Sequence, residues 1–534
     1  MVGGAASVTA ANAAPPGQPD VPPGEYRGDL ASGADWLAHV PQEWNGTVVL
    51  FAHGFGQLAA QDAPDEPTRQ ELLEQGYALV GSSYSGPSLW ALESAVDDQY
   101  AALEAFEELL GVEPERTIAF GRSMGGLVSA RQAEDPRGVI DGVLTTCGLV
   151  AGALNLNNYQ LDGVYTLSHL LAPDQDIPLV RYESPEQAAQ AAADLVAVVT
   201  ESQDTPDGRA RIALASAFLN MATWYSGDVP PAPHDHQAQQ VQQFEALVDG
   251  GLERYMTGRQ QIELVAGGNS AYNAGVDYRA LLDSSPHADQ VRALYREAGL
   301  DLDADLATLT RDADVEADPE AVADLARSSM VTGELEVPEL AIHTVADELV
   351  PVEHEDWYAE QVVREGEADL LRQAYVEGAG HCEFQPAEQV AALQALEQRL
   401  DTGHWDDLAD PARLNAAADA LELGTTARFT RFDPSRLVGG LGEPGRDRDR
   451  RPPGTRAVQG ATRPGRAGSR SGPGVRTDGD PPVCLRRGGA GRRARGVQGS
   501  GWMVHRQDVV HEGADALVGL ADRRPRAVTL DARG

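Results

Sequence analysis

Thr117-Ile118-Ala119-Phe120-Gly121-Arg122-Ser123-Met124-Gly125-Gly126 is the stretch whose reading decides the fold. Four residues of strand character run into a glycine, and Ser123 then stands with glycine two positions before it and two after it, ahead of a helix-like stretch. Without a Cβ at 121 and 125 the backbone can turn sharply from strand into helix. A serine at the tip of such a turn is lifted clear of the sheet, as a nucleophilic hydroxyl must be. The three-residue pattern alone suits an ordinary glycine-rich turn equally well; the strand before it and the helix after it favour the nucleophile.

Upstream, the β-branched run from Asn45 to Ala52 ends at His53-Gly54-Phe55-Gly56 and reads as a buried strand followed by a loop. A helix-like stretch follows from about Pro67 to Gln75, and strand character resumes over Gly76 to Gly81. From Ala95 to Leu110 the apolar positions Val96, Tyr100, Leu103, Phe106 and Leu110 recur every three or four residues, the period of a helix with one buried face. Downstream, Val139 to Thr146, Leu340 to Thr344 and Gln373 to Val376 read as further strands. Strands alternating with helices predict an α/β architecture with a mostly parallel central sheet covered on both faces. The interval from about 151 to 335 carries helical patterns at Ile212 to Tyr225 and Val241 to Tyr255 but few strand-like runs. It is predicted to be a largely helical cap inserted into a domain spanning 26 to 440.

The 534 residues include 42 arginines, no lysine and 82 acidic residues, for a net charge of −40. The charge is unevenly placed: residues 441 to 534 carry 19 Arg and 10 acidic residues, and the rest of the chain 23 and 72. A body this acidic excludes nucleic acid as a partner and suits a salt-rich habitat, where its self-repulsion is screened. Beyond 440, Arg, Gly and Pro dominate without apolar periodicity, so disorder is expected, or an out-of-frame reading of a GC-rich gene. No apolar run approaches about 18 residues, so no membrane span is expected. Residues 1 to 25 read as a leader, either the end of a signal peptide on an exported protein or simply a disordered N-terminus of a cytoplasmic one. Cys147, Cys382 and Cys484 lack metal-ligand spacing, so no structural zinc is expected. Oligomeric state is not encoded in these patterns.

A serine hydroxyl needs a base within hydrogen-bond reach and a carboxylate to orient that base. His381, in Glu377-Gly378-Ala379-Gly380-His381-Cys382, follows a strand on a glycine-bearing loop, and Asp347 follows the strand at 340 to 344. Glu348 is an alternative acid, and His343 and His354 are alternative bases. His343 falls inside a strand and reads as a buried, hydrogen-bonded residue, whereas His354 in Glu353-His354-Glu355-Asp356 reads as a solvated helix start. An oxyanion formed at Ser123 calls for backbone N–H donors, assigned to Met124 and, from the HGFG loop, Phe55.

Together the HGFG loop, the GRSMGG turn, the Asp347 strand end and the Gly380-His381-Cys382 motif resemble the α/β-hydrolase superfamily over roughly residues 40 to 400. The chain is similar within it to bacterial secreted hydrolases of esterase-like and prolyl-oligopeptidase-like type, including Gly267-Gly268-Asn269 and Val276-Asp277-Tyr278 in the cap. The resemblance implies cleavage of an ester, thioester or amide without metal or organic cofactor, acting on a small-molecule ester or a short peptide. A carboxylic-ester hydrolase working through an acyl-enzyme is the first expectation and a serine peptidase the second. About forty-five residues precede the first sheet strand, too few for a propeller domain, which weighs against the peptidase. A binding protein that keeps the fold without the chemistry is the third. Cys147 and Cys382 would lie at the same end of the sheet, where a disulfide would suit an exported enzyme.

Overall fold

The computed structural model describes residues 19–56 and 58–446. Most of the leader, the arginine-rich stretch from 447 onward and Cys484 lie outside the described residues. Nine strands among the described residues form one sheet: β1 (Gly24–Asp29), β2 (Asp35–Val40), β3 (Thr47–Ala52), β4 (Ala78–Ser82), β5 (Arg116–Arg122), β6 (Gly142–Thr146), β7 (Glu339–Ala346), β8 (Leu371–Ala379) and β9 (Phe429–Thr430). Their order is β1-β2-β4-β3-β5-β6-β7-β8-β9. Strands β4 to β8 run parallel, while β1 and β2 at one edge and β9 at the other join antiparallel.

Helices α1 (Glu66–Glu74), α2 (Leu92–Leu110) and α3 (Met124–Ala133) connect the strands from β3 to β6. Between β6 and β7 the chain leaves the sheet for α4 (Gly152–Leu171), α5 (Pro185–Ser202), α6 (Pro206–Phe218), α7 (His236–Ala246), α8 (Leu252–Ala266), α9 (Tyr278–Ser284), α10 (Ala288–Ala298), α11 (Leu302–Asp312) and α12 (Pro319–Ser328). After β7 come α13 (Glu353–Glu365), α14 (Pro386–Thr402) and α15 (Pro411–Ala420). This is the α/β-hydrolase fold with a helical insertion between the sixth and seventh strands.

β3 explains why the sheet is covered twice. All six of its residues are buried, and alternate side chains face opposite layers. Val48, Leu50 and Ala52 pack with Leu103 and Phe106 of α2 and Leu127 of α3. Val49 and Phe51 pack with Val390, Leu393 and Leu396 of α14. A strand with no polar face can sit only in the middle of such a sandwich. The α2 periodicity resolves the same way, with Leu103, Phe106 and Leu110 buried against the sheet.

Two boundaries differ from the sequence reading. β1 opens at Gly24, inside the stretch read as leader; its burial alternates weakly, with Tyr26 as its buried residue, so it carried little strand signal. At the other end the chain stays packed through Arg446 rather than stopping at 440. Val438 joins the cap core, Leu441 donates its N–H to Asn155 Oδ1 (2.7 Å), and Asp277 N–H donates to Gly445 O (2.9 Å). The Arg446 guanidinium is buried and pairs with the buried Asp162 carboxylate on α4, which also accepts from Tyr278 Oη (3.0 Å). Arg446 further donates to the carbonyls of Gly439 and Tyr272, both at 2.7 Å. Removing one partner of such a pair leaves an uncompensated charge in the cap interior. Arg446→Met is therefore expected to cost about 3–5 kcal/mol in urea unfolding, and adding Asp162→Asn should return part of it. A single-variant loss below about 1 kcal/mol would show that the pair does not hold the cap.

Candidate active site

Ser123 sits between β5 and α3 with φ 58° and ψ −121°, a conformation rarely adopted by a residue with a side chain. The surrounding backbone imposes it. Ser123 N–H donates to Thr146 O of β6 (3.0 Å), and Gly126 N–H donates back to Ser123 O (2.8 Å). A methyl group on Gly121 would stand 2.0 Å from Gly125 O, and one on Gly125 would stand 1.9 Å from Ala52 O at the end of β3. Both glycines are thus required by close approach. Met124 opens α3, so its N–H belongs to the helix's unsatisfied first turn, beside the serine.

Two loops at the same edge of the sheet meet this hydroxyl. His381, after β8, places Nε2 2.8 Å from Ser123 Oγ and Nδ1 2.7 Å from Asp347 Oδ2. Asp347, after β7, is buried, and its Oδ1 accepts the N–H groups of Leu349 (2.9 Å) and Val350 (2.8 Å). Burial alone would raise the Asp347 carboxyl, but His381 and His343 beside it hold it well below the usual carboxylate range. It is an anion fixed by donors on each oxygen. The three sequence-nominated residues are brought together in the order Ser, His, Asp.

The alternatives fall elsewhere. The His381 ring bonds Asp347 and not Glu348, whose Oε2 is buried and unpartnered. His343 is buried, with Nδ1 3.0 Å from Glu355 Oε1 and Nε2 2.9 Å from Val350 O and 3.5 Å from Asp347 Oδ2. Each ring nitrogen faces an acceptor, so both must carry protons. Burial opposes that charge, but Asp347 and Glu355 outweigh it and push the imidazole up to about 10. His354 corrects the expectation of a solvated helix start: it is fully buried, accepts Ala151 N–H at Nδ1 (3.2 Å), and meets Tyr159 Oη at Nε2 (3.1 Å). Burial and the neighbouring His343 push it down to about 3, so it is neutral.

Cys147, after β6, and Cys382 are disulfide-bonded, with Cα atoms 5.3 Å apart. Both occupy left-handed backbone, and Cys382 Sγ lies 3.3 Å from His381 Nε2. The bridge ties the histidine loop to the strand beside the serine. Cys147, His381 and Cys382 are close enough to suggest a metal cluster, but the joined sulfurs offer no thiolates.

The HGFG loop borders Ser123 on the other side, with Gly54 packed against it. His53, which the sequence reading used only as part of this motif, is buried, stacks on Tyr84 at 4.1 Å between centroids, and bonds Gly54 O through Nδ1 (2.8 Å). Tyr84 Oη closes the unit on His53 O (3.0 Å). Tyr84 escaped notice because only its fold neighbour makes it meaningful. Ser123 opens into a cleft walled by Phe55, Trp90, Leu149, Leu156 and Ile262, with Gln160 and Arg254 of the cap among its lining residues. No helix among the described residues is long and apolar enough to cross a membrane.

Two outcomes follow from this geometry. Reducing the disulfide, or Cys147→Ala with Cys382→Ala, should slow fluorophosphonate labelling of Ser123 at least about tenfold while helical circular dichroism persists, because the histidine loop loses its tie; unchanged labelling would show the bridge to be incidental. For His343 the folded value near 10 exceeds the ordinary 6.5, so its contribution is complete below about pH 6.5 and is lost as pH rises toward 10. Urea unfolding from pH 6.5 to 9.5 should show stability falling with pH, and His343→Gln should remove roughly 1 kcal/mol per pH unit from that slope. Parallel slopes would mean that His343 is uncharged in the fold.

No protein-family model matches the chain. It is 30% identical over 439 residues to an o-phthalyl amidase of Xanthobacter agilis, a likeness covering 77% of this chain and 94% of that protein. Among solved structures, an esterase from Aspergillus oryzae is 14% identical with a TM-score of 0.37, covering 70% of this chain and 78% of that one. A Pyrococcus horikoshii acylaminoacyl peptidase is 11% identical with a TM-score of 0.32, covering 77% and 43%. The assignment rests on the amidase and on the strand order, not on these superpositions. The chain belongs to the α/β-hydrolase superfamily, in the family of the o-phthalyl amidase, and is a hydrolase.

Proposed function

We propose that the chain is a serine hydrolase that cleaves an acyl compound through a covalent acyl-enzyme, with Ser123 as nucleophile, His381 as base and Asp347 as the orienting acid. The observation that carries this reading is the unbroken relay from Asp347 Oδ2 through His381 to Ser123 Oγ, at 2.7 and 2.8 Å, on the wall of an open cleft. Ser123 Oγ attacks the acyl carbon and its proton passes to His381 Nε2. The resulting oxyanion takes hydrogen bonds from the N–H groups of Met124 and Phe55. Collapse breaks the bond to the leaving group, which receives the proton from His381. Water then repeats the sequence on the acyl-enzyme, returning Ser123 and releasing the acid. Asp347 holds the proton of His381 on Nδ1, so that Nε2 faces the serine ready to accept.

Between the two bonds that such a site cleaves, the relative's description as an amidase favours an amide of an aromatic acid, with esters of the same acid also turned over. The disulfide beside His381 supports an exported location, since such bonds persist in oxidising compartments. The test is a panel of nitrophenyl esters and nitroanilides of acetic, benzoic and phthalic acids. Ser123→Ala or His381→Ala should lower kcat by about 10⁶-fold and Asp347→Asn by about 10⁴-fold. A folded protein that neither turns over any member nor reacts with a fluorophosphonate would instead be a binding protein on this fold. Full turnover in Ser123→Ala would overturn the assignment.

A further inference from the structure

The bridge between Cys147 and Cys382 is a late state of the chain. A cysteine is translated as a thiol, and a disulfide forms only when an oxidant takes two electrons from the pair. Every copy therefore passes through a form in which two thiols stand beside His381. Backbone contacts that do not involve sulfur hold them there. Cys147 N–H donates to Ile342 O of β7 (2.9 Å), and Cys382 O accepts Phe384 N–H (2.9 Å). Gly380, just ahead of the histidine, donates its N–H to Ala346 O (3.0 Å), and its carbonyl accepts Thr344 Oγ1 (2.9 Å). Both cysteines are buried.

Cys147 Sγ, Cys382 Sγ and a ring nitrogen of His381 lie within 4.8 Å of one another, and Cys382 Sγ is 3.3 Å from His381 Nε2. Around a tetrahedral zinc ion, with bonds of about 2.3 Å to sulfur and about 2.0 Å to nitrogen, two sulfurs stand about 3.8 Å apart, and a sulfur and a nitrogen about 3.5 Å. A disulfide holds its sulfurs about 2 Å apart, so less than about 2 Å of side-chain movement opens the pair to that spacing. The histidine is already set as a ligand. Asp347 Oδ2 accepts from Nδ1 (2.7 Å), which leaves the Nε2 lone pair facing Cys382 Sγ and Ser123 Oγ, the latter at 2.8 Å. A carboxylate behind a ligating histidine fixes its tautomer and raises its basicity as a ligand. The net charge of −40 draws cations to the whole body.

We propose that the unoxidised chain binds a zinc ion through Cys147 Sγ, Cys382 Sγ and His381 Nε2, and that this form is catalytically silent. The two thiols give up their protons as the two sulfur bonds to the metal form, and the Nε2 lone pair makes the third bond. Two thiolates and an imidazole with a fourth position open suit zinc rather than calcium or magnesium. With its lone pair on the metal, His381 has nothing left to accept the Ser123 proton. Exchange with a small-molecule disulfide then joins the two protein sulfurs, reduces the small molecule to two thiolates and releases the zinc ion. The base is thus freed in the step that makes the bridge. The silencing, though not the binding, rests on the serine-hydrolase reading above.

The full-length chain carrying Cys484→Ser, produced in a reducing cytoplasm and kept under argon with a phosphine, tests this with cobalt(II) as probe. One equivalent should bind with a thiolate charge-transfer band, and zinc should displace it. Affinity should fall at least about tenfold in Asp347→Asn and at least about a hundredfold in Cys147→Ala with Cys382→Ala. The oxidised chain should show no band. Zinc should slow fluorophosphonate labelling of the reduced chain at least about tenfold beyond reduction alone, and a chelator should reverse that part. Glutathione disulfide should restore full labelling and release one metal ion. Cys147→Ala exposes the Cys382 thiol without any reductant and decides the matter if the reduced chain loses helical circular dichroism: zinc should slow its labelling more than that of the double variant. A folded reduced chain without the band, an equal band in the double variant, or equal zinc sensitivity of Cys147→Ala and the double variant overturns the site. The band without labelling of any form of the chain would keep the metal site and sink the serine-hydrolase reading; labelling without the band would sink the metal site alone.

Discussion

Everything at the candidate site depends on one backbone constraint, the left-handed turn at Ser123. A residue with a side chain holds that conformation only where its surroundings over-determine it. Here they do: the serine's N–H and C=O are both engaged, and Gly121 and Gly125 pack so closely that a methyl group on either would meet a carbonyl oxygen. The strain at one residue is thus supported by the parallel pairing of β3, β5 and β6. The same pairing brings the ends of β7 and β8 alongside, which is where His381 and Asp347 begin their loops.

Around that turn the electrostatics are layered. Asp347 lies between two histidines with different duties: His381 faces the serine, while His343 is buried and turned toward Glu355 and Val350. An imidazolium behind the orienting acid keeps that acid ionised although water is excluded from it. His354, next in sequence to the Glu355 that faces that charge, is neutral and accepts the N–H of Ala151 just ahead of α4. His343 and His354, both near one carboxylate, therefore exist in different states, each set by what the ring nitrogens face.

Much of this was legible in the sequence, for physical reasons that can be named. The elbow announces itself because close backbone approach demands glycine at fixed offsets. Asp347 and His381 could be nominated because strand ends in a parallel sheet share one edge. What could not be read depends on distant chain. β1 is short and only Tyr26 is buried in it, so its pattern is nearly that of a loop. The run Glu353-His354-Glu355-Asp356 looks solvated by composition, yet His354 and Glu355 are buried because α4 and β7 pack over them.

The Arg446–Asp162 pair joins positions 284 residues apart. Contacts of such separation are made late, because the loop they close must be ordered before they reward it. During synthesis the hydrolase sheet through β8 can form while α4 still holds an unneutralised carboxylate in its interior. The cap therefore completes its core only after the chain has emerged through residue 446. A chain interrupted in between would display an assembled nucleophile beneath an unfinished cap.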